Sequence, residues 1–179
     1  MATKIRVSQQ CVVGVYKTFD EARYAIDSLE AAKYPPAQVS LVTHNVREEA
    51  PVEELQYGDK AEVNATRGAG LGGLVGALLG APLLTIPGLG VVVAAGPIGT
   101  ALAGAIVGGL LGGFSGWGIH EDHAREYEVH VQQGDWLVVA DGDPGEVAAA
   151  QAILEATNAE RVDLHARNSS DSPEIDDRP

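Results

Sequence analysis

The feature that most constrains this chain is a long window without charged residues, from Gly68 to Ile119. No Asp, Glu, Lys or Arg occurs in it, and it holds 17 of the 22 glycines. Glycine inside a helix costs about 1 kcal/mol relative to alanine, so a helical window of this composition needs close backbone packing to offset the cost. Residues 67–119 are therefore predicted to form an insert with its own packing rules.

The start of this window has a formal resemblance to a phosphate-binding loop. The stretch GAGLGG, beginning at Gly68, matches the G-x-G-x-x-G pattern, but a dinucleotide site also needs a preceding strand and an acidic residue about 20 positions later. The residues before Gly68 look like the approach to a helix, and no carboxylate follows before Ile119. No G-K-[ST] follows either, which argues against a P-loop. A packing role for the glycines is favoured.

The glycines recur at every fourth residue in two series, which places each series on one face of a helix. Missing side chains let two helix axes come close, as in the small-xxx-small pairs of membrane helices. Prolines and glycines from Pro82 to Pro97 mark the connection between the helices. The sequence therefore predicts a glycine-zipper helical hairpin that mediates oligomerisation. Its packing residues are Gly68, Gly72, Gly76, Gly80, Gly104, Gly108, Gly112 and Gly116.

The predicted hairpin is long enough to cross a bilayer. Its arms, Gly68–Ile86 and Ile98–Ile119, offer 19 and 22 uncharged residues, against roughly 20 needed. Trp117, near the end of the second arm, suits a membrane interface. The alternative keeps the hairpin in water, buried against copies of itself in a homo-oligomer. The chain is its own partner in both interpretations, and the lipid bilayer is a second partner in the first.

The two flanks of the insert repeat one pattern of strand, helix and strand. In the first flank, Thr18 and Glu21 form a capping-box pattern ahead of an amphipathic helix. In the second, Pro144 suits the first helical turn. Two βαβ units predict an α+β, ferredoxin-like fold, with a four-stranded antiparallel sheet and two helices on one face. The predicted strands are Val12–Tyr16, Val39–Thr43, Trp136–Ala140 and Arg161–His165.

The domain organisation follows from these patterns. The insert separates two halves of one sheet domain, and a polar tail follows the second half. The predicted segments are an N-terminal extension (1–10), the first βαβ unit (11–43), a charged connector (44–66), the glycine-zipper hairpin (67–119), a helix returning to the sheet (120–134), the second βαβ unit (135–167) and a disordered acidic tail (168–179).

Charge and cysteine content exclude several classes of function. The formal charge is −13 with only 12 basic residues, which argues against nucleic-acid binding because that affinity rests on Lys and Arg. The one cysteine, Cys11, lies in an apolar run and is predicted to be a small buried residue. No secretory signal is visible, so a cytoplasmic location of the sheet domain is expected, with the hairpin at a membrane or in a soluble assembly.

Three stretches give the chain a family likeness: GVYKTFDEARYAIDSLEAAKYPPAQVSLVT, LLTIPGLGVVVAAGPIGTALAGA and GIHEDHAREYEVHVQQGDWLVV. With them the chain resembles the bacterial general stress protein family, whose members are also described as heat-induced or low-temperature-induced proteins. The resemblance covers roughly Val12 to His165. It implies a ferredoxin-like module with a glycine-zipper insert, often placed in membranes, and it implies no catalytic residue.

One set of side chains could bind a metal. His120, His123 and His130 recur at helical spacing with Glu126 nearby, and imidazoles with a carboxylate suit Zn or Cu. The alternative is a polar helix flank, with Tyr127 packed against the sheet. The H-E-x-x-H pattern of metalloproteases is absent, because only two residues separate His120 from His123.

The sequence thus favours a non-enzymatic, stress-related assembly protein whose glycine-zipper hairpin drives self-association at or in a membrane. No cofactor and no catalytic residue are predicted, since no nucleophile, base and orienting group occur together in a recognisable motif. The alternative is a soluble, homo-oligomeric sensor or binding module with a metal or small-molecule site near His120–His130.

Overall fold

The computed structural model describes residues 10–44, 84–86, 90–97, 114 and 117–166 of the chain. Six strands and three α-helices lie within these ranges, with a short 3-10 helix at Pro36–Gln38. In chain order the elements are β1 (Gln10–Tyr16), α1 (Phe19–Ala31), β2 (Val39–Thr43), β3 (Leu84–Ile86), β4 (Gly90–Ala95), α2 (Glu121–Gln132), β5 (Trp136–Gly142), α3 (Pro144–Glu155) and β6 (Arg161–Ala166).

The strands form an antiparallel sheet in the order β3-β4-β2-β5-β1-β6. Strand β1 lies between β5 and β6, so that Val13 pairs with Val139 on one side and Asp163 on the other. The predicted α+β class with an antiparallel sheet is confirmed. All four predicted strands are present, and three of them extend one or two residues beyond the predicted bounds.

Helices α1 and α3 cover the first face of the sheet, as expected for helices that follow two similar strands. Helix α1 begins at the predicted capping box: Oγ1 of Thr18 accepts from the backbone N–H of Glu21 at 3.3 Å, and the Glu21 carboxylate accepts from the Thr18 N–H at 3.2 Å. Its apolar stripe, including Ile26 and Leu29, is fully buried. Such a cap stabilises a helix by about 1 kcal/mol.

Helix α2 covers part of the second face and gives the molecule a third layer. Its buried side chains, Ala124, Tyr127 and Val131, pack in one cluster with alternate residues of β1 and β5. Cys11 belongs to this cluster and is completely buried, which confirms the prediction of a structural cysteine.

The middle of the glycine-rich window differs from the predicted helical hairpin. Residues assigned to the end of its first arm and to its connection form β3 and β4, and β4 pairs with the edge of β2. The helix predicted for Leu84–Ile86 is therefore wrong. The physical reason is the run Val91–Val93: β-branched side chains favour strands, and β2 offers unpaired backbone groups to the new strand.

The end of the predicted second arm also differs. The chain turns at Trp117–Gly118, where the Trp117 N–H donates to the Phe114 carbonyl at 2.9 Å and Gly118 has a φ of 76°. Helix therefore does not continue to Ile119. Trp117, expected at a membrane interface, packs instead against the cluster on the second sheet face.

Within the ranges described, no helix combines the length and apolar character needed to cross a membrane. The eight glycines of the predicted zipper, and most of the two arms that carry them, lie outside those ranges. The same holds for the acidic tail (168–179) and for all of the charged connector except His44.

Candidate functional site

The ionisable side chains that connect α2 to the sheet form two groups. Both lie on the second face of the sheet or at its margin, and each joins residues from different elements. The first, here named the Tyr127 cluster, consists of His123, Glu126, Tyr127, Arg161, Asp163 and His165. The second, the His130 cluster, consists of Lys17, His130, Asp135 and Glu160.

Tyr127 connects α2 to the edge strand β6 in the first cluster. Its hydroxyl donates to Oδ2 of Asp163 at 3.0 Å and lies 2.7 Å from Nε2 of His165. A phenol has one proton, and Tyr127 donates it in the hydrogen bond to Asp163. The proton in the second hydrogen bond must therefore come from Nε2 of His165. The two hydrogen bonds therefore place a proton on Nε2 of His165.

Burial is the main reason that His165 stays neutral. Burial, and then the neighbouring His123, lower the pKa of His165 to about 4. The two imidazole rings are 5.1 Å apart in an edge-to-face arrangement. The pKa of the Tyr127 hydroxyl is instead raised well above its usual range, mainly by burial and then by the negative charge of Asp163. Neither group is poised for acid–base chemistry near neutral pH.

Arg161 neutralises the carboxylates at the exposed side of the same cluster. Its guanidinium contacts Asp163 on its own strand and donates to the Glu126 carboxylate at 2.7 Å. The Arg161 hydrogen bond is the main reason that the pKa of Glu126 is lowered. This arrangement ties β6 to α2 a second time, through the residue that precedes Tyr127 in the helix.

The His130 cluster lies where the C-terminus of α2 meets the ends of β1 and β6. Nζ of Lys17 is 2.9 Å from Oδ2 of Asp135 and 2.8 Å from Oε2 of Glu160. Nδ1 of His130 is 2.7 Å from the same Asp135 oxygen. The Asp135 side chain is 5% exposed, whereas those of Lys17 and Glu160 are about half exposed. A buried carboxylate is thus surrounded by partners that reach the surface.

The turn after α2 fixes His130 and Asp135 relative to each other. The Asp135 N–H donates to the His130 carbonyl at 3.0 Å, and the Gly134 N–H donates to the Val131 carbonyl at 3.0 Å. Gly134 lies between them with a φ of 91°. These two bonds and the left-handed glycine form a Schellman motif, which satisfies the last carbonyls of the helix.

A third arrangement combines residue types found in thiol enzymes. On the second sheet face Cys11 pairs with Asp141 of β5 and with His165 of β6. Burial, followed by the charge of Asp141, raises the pKa of the Cys11 thiol to about 12, and its Sγ lies 3.5 Å from the Trp117 carbonyl. A thiol that remains protonated at neutral pH is a poor nucleophile. This row is part of the core.

An open groove lies on the opposite side of the molecule, between α1 and α3. It has a volume of about 450 Å³, and its walls are mainly apolar. The polar side chains along it offer only hydroxyl groups. The lining residues are Tyr24, Ser28, Ala31, Ala152, Ile153, Ala156 and Thr157. Neither ionisable cluster opens into this groove.

The four residues predicted to bind a metal take different positions in the structure. His123 and Glu126 lie together, with 3.6 Å between Nδ1 and Oε2, in the Tyr127 cluster. His130 belongs to the second cluster, two helical turns further along α2. His120 is exposed and precedes the first turn of α2 without a side-chain capping bond.

Sequence reasoning missed the residues that complete both clusters. Spacing along one helix identifies His123, Glu126 and His130, but it contains no information about the strand partners. One signal was available for the His130 cluster: Lys17, Asp135 and Glu160 each lie directly beside a predicted strand end. In an antiparallel sheet these ends meet at one edge, as the pairing of Tyr16 with Trp136 shows.

Comparison with known proteins finds a family similarity for the N-terminal part of the chain. No curated protein and no solved structure gives a significant match. Residues 11–84 match the model of a family described as the heat induced stress protein YflT domain, a match that runs from β1 through α1 and β2 to the first residue of β3. Over these residues the chain is similar to the heat-induced stress protein YflT domain family, which confirms its resemblance to bacterial general stress proteins.

Proposed function

We propose that this chain is a non-enzymatic, stress-related assembly protein, in which the glycine-rich arms join several copies and the sheet domain is a rigid frame. The arms are the segments 68–83 and 98–113, on either side of the β3–β4 hairpin. The similarity of residues 11–84 to a heat-induced stress protein family supports the link to stress. The assembly role rests on the glycine series and on their attachment to the sheet.

The observation that carries the proposal is the position of β3 and β4 between the two glycine series. Gly80 precedes β3 and Gly104 follows β4 in sequence, and β4 pairs with β2 through Leu41–Ala95 and its neighbours. The described residues nearest to the two series, Leu84 at the start of β3 and Ala95 at the end of β4, therefore lie in neighbouring strands at one edge of the sheet. Two segments that start beside each other can pack along their glycine faces with a small loss of chain entropy.

The strand order supports a ferredoxin-like frame. Without β3 and β4 the sheet reads β2-β5-β1-β6, which is the order expected when two βαβ units interleave. Helices α1 and α3 lie on one face in that arrangement, and α2 belongs to the insert that separates the units. We infer that the insert was added to a ferredoxin-like domain between its second and third strands.

The pairing of ionisable groups supports a role without catalysis. In the described part of the chain, the Tyr127 and His130 clusters connect neighbouring elements, and the buried thiol of Cys11 stays protonated. Catalytic acids, bases and nucleophiles usually face a cleft with a pKa near the working pH. The groove between α1 and α3 carries no such group.

Substitutions in the glycine series test the proposal. The double variant Gly72→Leu with Gly108→Leu places bulky side chains on both predicted contact faces and should lower the molar mass measured by light scattering after size exclusion. Gly88→Ala, between β3 and β4, is the matched control and should keep the wild-type mass. Unchanged mass in the double variant would contradict the glycine-zipper function. Circular dichroism of both variants checks that the domain remains folded.

The same variants separate a bilayer assembly from one in water. For a bilayer assembly, the wild type sediments with membranes and keeps its mass only in mild detergent. For an assembly in water, it stays in the supernatant and keeps its mass in plain buffer. The double variant should lose mass in whichever setting the wild type assembles.

A further inference from the structure

We propose that the His130 cluster is a binding site for one divalent zinc-type ion, held by His130, Asp135 and Glu160 in competition with the ammonium group of Lys17. This inference is independent of the assembly function. It replaces the residue set suggested by helical spacing with one that the fold brings together.

The ligand atoms of the three residues already converge. Nδ1 of His130, one oxygen of Asp135 and one oxygen of Glu160 all lie within 4.8 Å of one another. Nδ1 of His130 lies 2.7 Å from Oδ2 of Asp135 and 4.0 Å from Oε2 of Glu160. Ligands of tetrahedral Zn²⁺, with bonds of about 2.0–2.2 Å, lie about 3.4 Å apart. Movements of roughly 1 Å or less therefore convert the cluster into three ligands around a metal.

The electrostatics of the site already favour a cation between two carboxylates. Lys17 places its ammonium group within 3 Å of both Asp135 and Glu160. These contacts, with Glu160 the larger, raise the pKa of Lys17 and keep it charged. A divalent ion would balance both carboxylates, whereas one ammonium group leaves a net charge of −1 when His130 is neutral.

Lys17 can leave the site at low cost. Its side chain is 49% exposed, and ion pairs of exposed lysines contribute little to stability. Its flexible stem can move the ammonium group into solvent. Asp135, by contrast, is held in place by the Schellman turn and is almost completely buried. The site thus combines a fixed anionic ligand with a mobile competitor.

The ligand set selects the class of metal. Imidazole suits zinc and its transition-metal neighbours, whereas Mg²⁺ prefers oxygen ligands and retains several waters. One His and two carboxylates leave a fourth tetrahedral position for water. The other histidine of α2 does not complete this set, because His123 is two turns away, about 10 Å along the helix axis, and contacts Glu126 and Arg161 instead.

Zinc titration of the full-length protein tests the proposal, after removal of any affinity tag and of bound metal with a chelator. Isothermal titration calorimetry with Zn²⁺ should show one site per chain. Glu160→Gln should weaken binding by at least about tenfold, because it removes a ligand at a half-exposed position. Lys17→Met should tighten binding, because it removes the competing cation. Mg²⁺ at the same concentrations should not displace Zn²⁺.

His123→Ala is the matched control, since it removes a histidine from the same helix but from the other cluster. It should leave zinc affinity within about twofold of the wild type, a change that corresponds to less than half of 1 kcal/mol. The proposal is overturned if neither the wild type nor Lys17→Met binds Zn²⁺. It is also overturned if His123→Ala weakens binding as much as Glu160→Gln does. Circular dichroism of each variant shows that the comparison is made between folded proteins.

Discussion

The Tyr127 hydroxyl lies 2.7 Å from Nε2 of His165, where it joins helix α2 to the edge strand of the sheet. His165 also pairs across strands with Cys11, whose other neighbour is Asp141. One row of the second sheet face therefore holds a buried imidazole and a buried carboxyl on either side of an inert thiol. The folded state shifts the pKa values of His165 and Asp141 in opposite directions.

His165 should make the protein less stable as the pH falls. Its pKa is lowered from 6.5 to about 4 in the folded state, so between these values only the unfolded chain takes up the proton. The free energy of unfolding should then fall by on the order of 3 kcal/mol between pH 6.5 and pH 4 because of this group. Urea unfolding of wild type and His165→Gln across this range measures the effect. Parallel pH profiles of the two proteins would contradict it.

Asp141 should have the opposite effect in an overlapping range. Burial raises its pKa from 3.8 to about 6, so the folded chain keeps a proton that the unfolded chain has released. Its contribution is complete below pH 3.8 and is lost as the pH rises to 6, by on the order of 3 kcal/mol. Asp141→Asn keeps a neutral group at all pH values. Relative to wild type, this variant should therefore gain stability between pH 4 and pH 7.

The two opposing effects largely cancel in the wild-type protein. Its pH dependence near pH 5 should therefore be shallower than that of either single variant. Asp141→Asn should show the steep loss of stability toward acid that His165 causes. His165→Gln should show the loss toward neutral pH that Asp141 causes. Unfolding curves that change in the same direction in both variants would be inconsistent with this arrangement.

Local patterns were enough to predict most of the sheet domain. Thr18 and Glu21 identify the start of α1, and the apolar spacing that includes Ile26 identifies its buried face. These features depend on neighbours in sequence. The strands β3 and β4 depend on pairing with β2, which is distant in sequence. The four-residue spacing of the glycines favours helix in the same window and gives no sign of this pairing. The three valines at 91–93 are the local feature that favours a strand there.

Gly96, at the end of β4, should not tolerate a side chain. A Cβ at this position would lie 2.3 Å from the Val39 carbonyl oxygen and 2.8 Å from the Ser40 Cα, and the residue has a φ of 89°. Gly96→Ala should therefore destabilise the protein by about 2–5 kcal/mol, since backbone strain and overpacking add. Thermal unfolding measures this loss. A variant as stable as wild type would show that β4 does not approach β2 so closely.

Gly134 provides a contrasting case in the turn after α2. A Cβ there would meet nothing within 4 Å, but the residue has a φ of 91°. Only conformational strain therefore opposes Gly134→Ala, and the expected loss is about 1–2 kcal/mol. Gly134→Asn should recover part of it, because asparagine tolerates the left-handed region. A loss equal to that of Gly96→Ala would contradict the open surroundings of this turn.

The candidate site was less predictable than the fold. Helical spacing identified His123, Glu126 and His130, but their partners lie on other elements: Arg161 is 35 residues from Glu126, and Lys17 is 118 residues from Asp135. Pairs at such distances depend on strand register, which a spacing rule along one helix cannot provide. The register follows only once β1, β5 and β6 are known to be neighbours.

The molar mass of the wild-type chain in solution tests the assembly account most directly. Sedimentation equilibrium of the full-length protein, in buffer and in density-matched mild detergent, gives this mass without reference to shape. The account predicts a discrete multiple of the single-chain mass in at least one of the two media, stable on dilution. A single-chain mass at every concentration in both media would contradict it.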